Sequence, residues 1–118
     1  MNDFWSTLEQ LVSDSEISID RPKGSAHPKF ESIVYPLDYG YLEDTTGGDG
    51  DGIDIWVGSG DKSKVTGIVA TVDDYKRDAE LKILLGCSES EMKLAFETHN
   101  TVHQQAKLIR RFSDGATE

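Results

Sequence analysis

The chain has 118 residues, 22 of them Asp or Glu against 12 Lys or Arg, which gives a formal net charge of -10. That length bounds it to one domain with a single modest core. The acidity argues against nucleic acid and anionic membrane surfaces as partners, and the lone cysteine, Cys87, rules out an internal disulfide or a thiolate zinc cluster.

Phe4, Trp5, Leu8, Leu11 and Val12 recur at helical spacing behind Asn2 or Asp3 as N-cap. This predicts an amphipathic helix over 3–13 whose apolar stripe packs on the outside of a sheet. Residues 16–20 alternate as a half-buried strand does, Ile17 and Ile19 facing one way and Glu16, Ser18 and Asp20 the other, so Asp20 sits at a strand end facing away from the core. Residues 21–28, RPKGSAHP, read as a loop. Alternation resumes at Lys29, Phe30 and Glu31, with Lys29 and Glu31 on one face, and continues as a strand to Tyr35. A surface ion pair of little energetic weight is the commoner fate of such a couple. Pro36 ends the run. DYGYL at 38–42 is a second short strand with Tyr39 and Tyr41 on one side, a spacing that serves packing more often than chemistry, and Gly40 for close approach.

The densest chemistry follows at Asp49 to Val57, DGDGIDIWV. Glycine between the aspartates marks a tight turn, and three carboxylates delivered by one turn repel one another unless a hard cation with oxygen ligands offsets them. An EF-hand loop does not fit: with Gly52 at position 6, positions 1 and 12 fall on Gly47 and Gly58. The nonapeptide calcium repeat fits loosely and occurs once, where that architecture needs stacked copies. An exposed acidic hairpin is the remaining ordinary reading.

Ile53 to Val57 and Val65 to Val72 are strands, separated by the polar turn GSGDKSK. DDYKRD at 73–78 turns into a strand over 79–85 that sets Glu80 and Lys82 opposite Leu81 and Ile83. Ser88 and Glu91 form a capping box for a helix over 89–99. His99 and His103 are four apart, but Asn100, Thr101 and Val102 end the helix between them, which favours a non-ligand role. AKLIRRF at 106–112 is a closing strand, and SDGATE at 113–118 reads as a frayed tail. Six or seven strands with an early and a late helix predict a mainly β (α+β) fold, a small antiparallel OB-like barrel in one domain over 1–118. No apolar run approaches a membrane span, and Asp3 and Glu9 stand where a signal would be basic and apolar, so a soluble, cytoplasmic protein is expected.

Four blocks in order carry a resemblance: IDRPKGSAHPKFE, then YPLDYGYLED, then DGDGIDIWV, then Asp73 and Asp78 five residues apart. Together, over roughly residues 16 to 84, they resemble the soluble Mg-dependent inorganic pyrophosphatases of the barrel type, as a shortened and divergent member. The signature is Asp, small residue, Asp, Pro or Glu, apolar, Asp, apolar; Gly52 departs at the fourth place, and Asp20 stands where a glutamate is usual. The resemblance implies Mg2+ held by Asp49 and Asp54, the latter bridging two ions, with Asp73 and Asp78 completing the cage and Asp20 and Glu31 in its outer coordination. It implies Asp51 as acceptor of the water proton, and Lys29 and Tyr39 on phosphate oxygens. The reaction implied is hydrolysis of pyrophosphate to two phosphates.

The same resemblance exposes a depleted phosphate clamp. A hairpin bearing a phosphate-binding arginine is missing between Glu31 and Tyr35, the lysine expected two residues after Asp78 is Glu80, and a late tyrosine and lysine are His99 and Asn100. Lys82, on the same strand face as residue 80, is one replacement; Arg21, Lys23, Arg110 and Arg111 are others. Two alternatives stand beside pyrophosphate hydrolysis: turnover of another phosphoanhydride such as a nucleotide, and a catalytically silent metal or phosphate binder. Exposed sheet edges leave room for a homo-oligomer.

Overall fold

The computed structural model describes residues 3–112; the tail expected to fray, 113–118, lies outside them. Helix α1 spans Phe4–Ser13, capped by Asp3, whose side chain accepts a hydrogen bond from the Ser6 amide at 2.7 Å. Strands β1 (Ile17–Arg21), β2 (Asp38–Leu42), β3 (Asp54–Val57), β4 (Val65–Asp73) and β5 (Asp78–Leu85) follow. Helix α2 (Glu89–Thr98) carries the expected capping box between Ser88 and Glu91, and β6 (Gln104–Arg110) closes the order. No helix among the described residues is long and apolar enough to cross a membrane.

The six strands form one sheet in the order β1-β2-β3-β5-β4-β6. The mainly β fold with an early and a late helix is as expected, but the barrel is not. The sheet is open, with β1 and β6 at its edges, and β3 runs parallel to β5 while the other neighbouring pairs are antiparallel. Alternation in a sequence identifies strands without saying which neighbour each chooses. Here β4 passes β3 by, adds to the far side of β5, and so forms part of the crossover that a parallel pair requires.

The sheet buries both faces. On one, Leu42, Ile55, Ile83 and Leu85 pack with Leu8 and Val12 of α1; on the other, Trp56, Val69 and Leu84 pack with Met92 and Ala95 of α2. Because side chains alternate along a strand, Asp54, two residues before Trp56, belongs to the α2 face. Lys82, two before Leu84, shares it.

Two expectations near the N-terminus need correction. Residues 29–35 are not a strand: they fold back on themselves, with an isolated Ala26–Val34 bridge and backbone bonds from His27 to Ile33 and from Tyr35 to Ser25. The His27 ring nitrogen Nδ1 accepts from the Lys29 and Phe30 amides, which turns the chain where alternation alone would extend it. Strand β1 forms, but Ile17 and Ile19 remain 36% and 38% exposed. As an edge strand, β1 has its ladder neighbour on one side only, β2.

Candidate active site

The turn before β3 is built by glycine. Gly50 has φ +89°, and a Cβ on Gly48 would lie 2.0 Å from the Ala79 carbonyl oxygen. At Gly52, where the resembling family carries Pro or Glu, a Cβ would meet the Leu42 carbonyl oxygen at 2.8 Å and the Tyr41 ring at 2.9 Å. The departure from the signature is therefore what lets this turn lie flat against β2. Asp49 Oδ1 accepts from the Asp51 amide at 2.9 Å, which fixes the spacing of the two carboxylates at the turn tip.

This turn and the ends of β1, β2 and β3 enclose a cavity of about 560 Å3 lined by Asp20, Arg21, Tyr39, Asp49, Asp51 and Asp54, among others. A second cavity of about 810 Å3 shares Tyr35, Tyr39, Asp49 and Asp54 with the first and extends past Asp73, Glu80 and Lys82 to His27, Phe30, Tyr75 and His103. Of the residues singled out in the sequence, Asp20, Asp49, Asp51, Asp54 and Tyr39 thus meet on the first cavity, and Asp73 and Lys82 join Asp49, Asp54 and Tyr39 on the second. Lys29 and Glu31 are exposed on the 25–35 loop and line neither. Asp78 also lines neither; it is paired with Asp73 across the β4–β5 hairpin. Asp73 is buried, and its Oδ1 accepts from the Tyr75 and Lys76 amides at 3.0 and 2.8 Å, an arrangement that closes the hairpin turn.

Asp54 is held in an ion pair by the ladder itself. It faces Lys82 directly across the parallel β3–β5 ladder, and the ammonium stands 2.6 Å from Asp54 Oδ2 and 3.0 Å from Glu80 Oε1. Lys82 is 4% exposed. Burial works against its charge, but Asp54 and Glu80 outweigh that and hold its pKa above the ordinary lysine value. Glu80 is pushed up, first by burial and then by Asp49 and Asp54, against the opposing pull of Lys82. The Tyr39 phenol is pushed far up, chiefly by burial and then by the charge and hydrogen bond of Asp54, so it stays protonated. This Asp54–Lys82–Glu80 triad could not be read in the sequence, because nothing local specifies a parallel β3–β5 register.

His99 proves to be a structural group. It is buried, its Nε2 accepts from the Trp56 indole at 3.0 Å, and burial, then Lys82, depress its pKa to about 3, so the ring is neutral. Among the cations offered as clamp replacements, Arg110 pairs with Glu89 and Arg111 with Glu9, while Lys23 lines neither cavity. Arg21 does line the first cavity; one of its guanidinium nitrogens lies 3.6 Å from Asp20, and its Nε is buried with no hydrogen-bond partner.

The donors suit a hard divalent cation in kind. Four carboxylates line the first cavity, and no thiolate or imidazole does. Their arrangement is open: among the described residues no three His, Cys, Asp or Glu side chains lie close enough to enclose an ion.

Comparison with known proteins agrees with these blocks and this fold. Residues 9–113 match the family model for inorganic pyrophosphatase. Over 60 residues, 44% of the chain, the sequence is 37% identical to an inorganic pyrophosphatase of Leifsonia xyli subsp. xyli, and the matched stretch covers only 37% of that relative's length. The fold is similar to that of an inorganic pyrophosphatase from Coxiella burnetii, with a TM-score of 0.62 over 80% of this chain and 84% of that one at 15% identity. An inorganic pyrophosphatase from Helicobacter pylori is similar at a TM-score of 0.55, over 80% and 81% of the two chains at 16% identity.

Proposed function

The chain belongs to the inorganic pyrophosphatase family, and from that premise we propose that it hydrolyses pyrophosphate to two phosphates with Mg2+ as cofactor. The observation that carries this reading is the convergence of Asp20, Asp49, Asp51 and Asp54 with Arg21 and Tyr39 on one cavity of about 560 Å3. In this reading Asp49 and Asp54 would hold the cation, with Asp20 at its margin, and the bound cation would supply Lewis-acid activation and neutralise charge on the phosphate oxygens. Asp51, exposed at the turn tip and free of ion pairs among the described residues, takes the proton of the attacking water on a carboxylate oxygen. Tyr39 donates its phenolic proton as a hydrogen bond. The Arg21 guanidinium takes the place of the missing clamp arginine and binds phosphate oxygens through paired N–H groups. Lys29, Glu31 and Asp78 line neither cavity and are given no role in this reading.

The test is phosphate release from pyrophosphate with Mg2+ present and with Mg2+ chelated, for the wild type beside Asp51→Asn. Mg-dependent release that falls by at least about 100-fold in the variant supports the assignment of the base. Near wild-type release from Asp51→Asn sinks it. A folded wild-type protein that releases no phosphate sinks the pyrophosphatase reading itself. A second substrate class, a nucleotide phosphoanhydride, is favoured by the adjoining 810 Å3 cavity with Phe30, Tyr35, Tyr39 and Tyr75 in its wall, on which a base can stack. Faster release from a nucleoside triphosphate than from pyrophosphate would select it.

A further inference from the structure

The cation requirement of this site is partly met by the chain itself. Asp54 is the carboxylate that family resemblance places between two metal ions, yet here one of its oxygens is 2.6 Å from an ammonium that is itself 4% exposed. Lys82 is held there by the fold. Its backbone is registered with Asp54 on one side and with Val69, fully buried, on the other. Its other ion-pair partner among the described residues is Glu80, at 3.0 Å.

The neighbouring substitution has a matching logic. Where the family resemblance implies a lysine two residues after Asp78, this chain has Glu80, and a lysine stands at 82, two residues further along β5 on the same face. Such a shift moves a positive charge by about 6.6 Å along the strand. It moves from a position suited to a phosphate to one against Asp54, and the carboxylate left at 80 completes its pairing.

A divalent ion bound to Asp54 Oδ2 would sit about 2.1 Å from that oxygen, and so within about 5 Å of the Lys82 ammonium. Two cations that close, on side chains 6% and 21% exposed, repel strongly. The ion and the ammonium therefore compete for the same side of Asp54. We propose that Lys82 is a resident cation of this site: it occupies one position at Asp54 that a divalent ion would otherwise take, so the chain loads one divalent ion fewer than its carboxylates would hold without it. The inference rests on the metal-dependent reading above. It also gives Lys82 a different role from phosphate binding.

The experiment counts Mn2+ bound per chain by equilibrium dialysis, with wild type, Lys82→Met and the double variant Lys82→Met/Glu80→Gln. The double variant removes one charge of each sign and keeps the outcome readable where the single variant leaves Asp54 and Glu80 facing each other and fails to fold. Binding of one more Mn2+ by either folded variant than by wild type is the expected result. An unchanged or lower count in every variant that folds overturns the inference, while Mn2+ binding by the wild type keeps the metal-dependent reading alive. Absence of Mn2+ from wild type and variants alike overturns both.

The native protein supplies a second readout. The ammonium resonance of Lys82, followed by nitrogen-edited NMR as Mg2+ is added, should persist in slow exchange with solvent. Its loss on metal addition would mean that the ion displaces Lys82, and the proposal would fall.

Discussion

The two walls of the site hold their charges in opposite ways. On the strand wall, Asp54, Glu80 and Lys82 are set by ladder register, sit at 21%, 14% and 6% side-chain exposure, and share one ammonium between two carboxylates within 3.0 Å. On the turn wall, Asp49 and Asp51 are exposed, and the hydrogen bond fixing them relative to each other runs from a backbone amide to Asp49. The 25–35 loop repeats the second pattern with Lys29 and Glu31, which are exposed and line no cavity. Charges on a ladder are ordered as the strands form, so they contribute to folding and are costly to disturb. Charges on a turn keep their carboxylate oxygens open to a ligand. In this molecule stability and chemistry are divided along that line, and Asp54, which lines both cavities, stands at the junction.

The largest test of this division is thermodynamic. Asp54→Ala leaves the Lys82 ammonium buried with Glu80 as its remaining partner, and breaking a buried ion pair from one side costs about 3 to 5 kcal/mol. Since Glu80 stays, the low end is expected, about 3 kcal/mol in urea unfolding. Asp51→Ala and Glu31→Ala, on the turn and the loop, should stay within about 0.5 kcal/mol of wild type. A loss of 2 kcal/mol or more in Asp51→Ala, or none in Asp54→Ala, would erase the distinction between the walls.

The same line separates what the sequence discloses from what it conceals. The strands over 38–42, 65–73 and 78–85 and both helix caps are legible because their signals are local: alternation, capping side chains and turn residues. The aspartate turn is legible for the same reason, since glycine spacing acts within a few residues. Pairing order is not local. The parallel β3–β5 neighbour relation, the open sheet and the Asp54–Lys82 contact depend on where β4 docks, which no window of the sequence encodes. The failure at 29–35 is of another kind. There Lys29, Phe30 and Glu31 alternate as a strand would, but a His27 side chain binds the next two available amides and the segment turns back. A side chain competing for backbone donors defeats periodicity.

A smaller effect is expected from His99, on the strand wall's inner side. Its folded pKa of about 3 lies below the ordinary value of 6.5 because burial disfavours the charged ring. The unfolded chain therefore takes up the proton first as pH falls. The stability this group contributes is complete above pH 6.5 and is lost progressively as pH falls from there toward 3. Between pH 7.5 and pH 5 the loss is about 2 kcal/mol. His99→Gln keeps an acceptor for the Trp56 indole and cannot titrate. Its stability deficit relative to wild type should shrink by about that amount over the same interval in urea unfolding. A deficit that is constant with pH would mean that the folded ring takes up its proton at the same pH as the unfolded one, and that burial does not depress it.

The smallest effect bears on whether the turn wall has a working clamp. Arg21 ends β1 beside Asp20 and lines the first cavity with its side chain 34% exposed, so its outer guanidinium N–H groups are the donors it has to offer a phosphate oxygen. Lys29, the residue the family pattern favours, has no cavity to reach. If Arg21 binds substrate and transition state alike, Arg21→Ala should raise KM about tenfold, equivalent to about 1.4 kcal/mol, with kcat nearly unchanged. Lys29→Ala should leave both parameters within about twofold, as expected for an exposed side chain that touches nothing in the site. The reverse pattern, with KM responding to Lys29 and not to Arg21, would require the 25–35 loop to close over the cavity when substrate binds. It would then assign the clamp to the 25–35 loop.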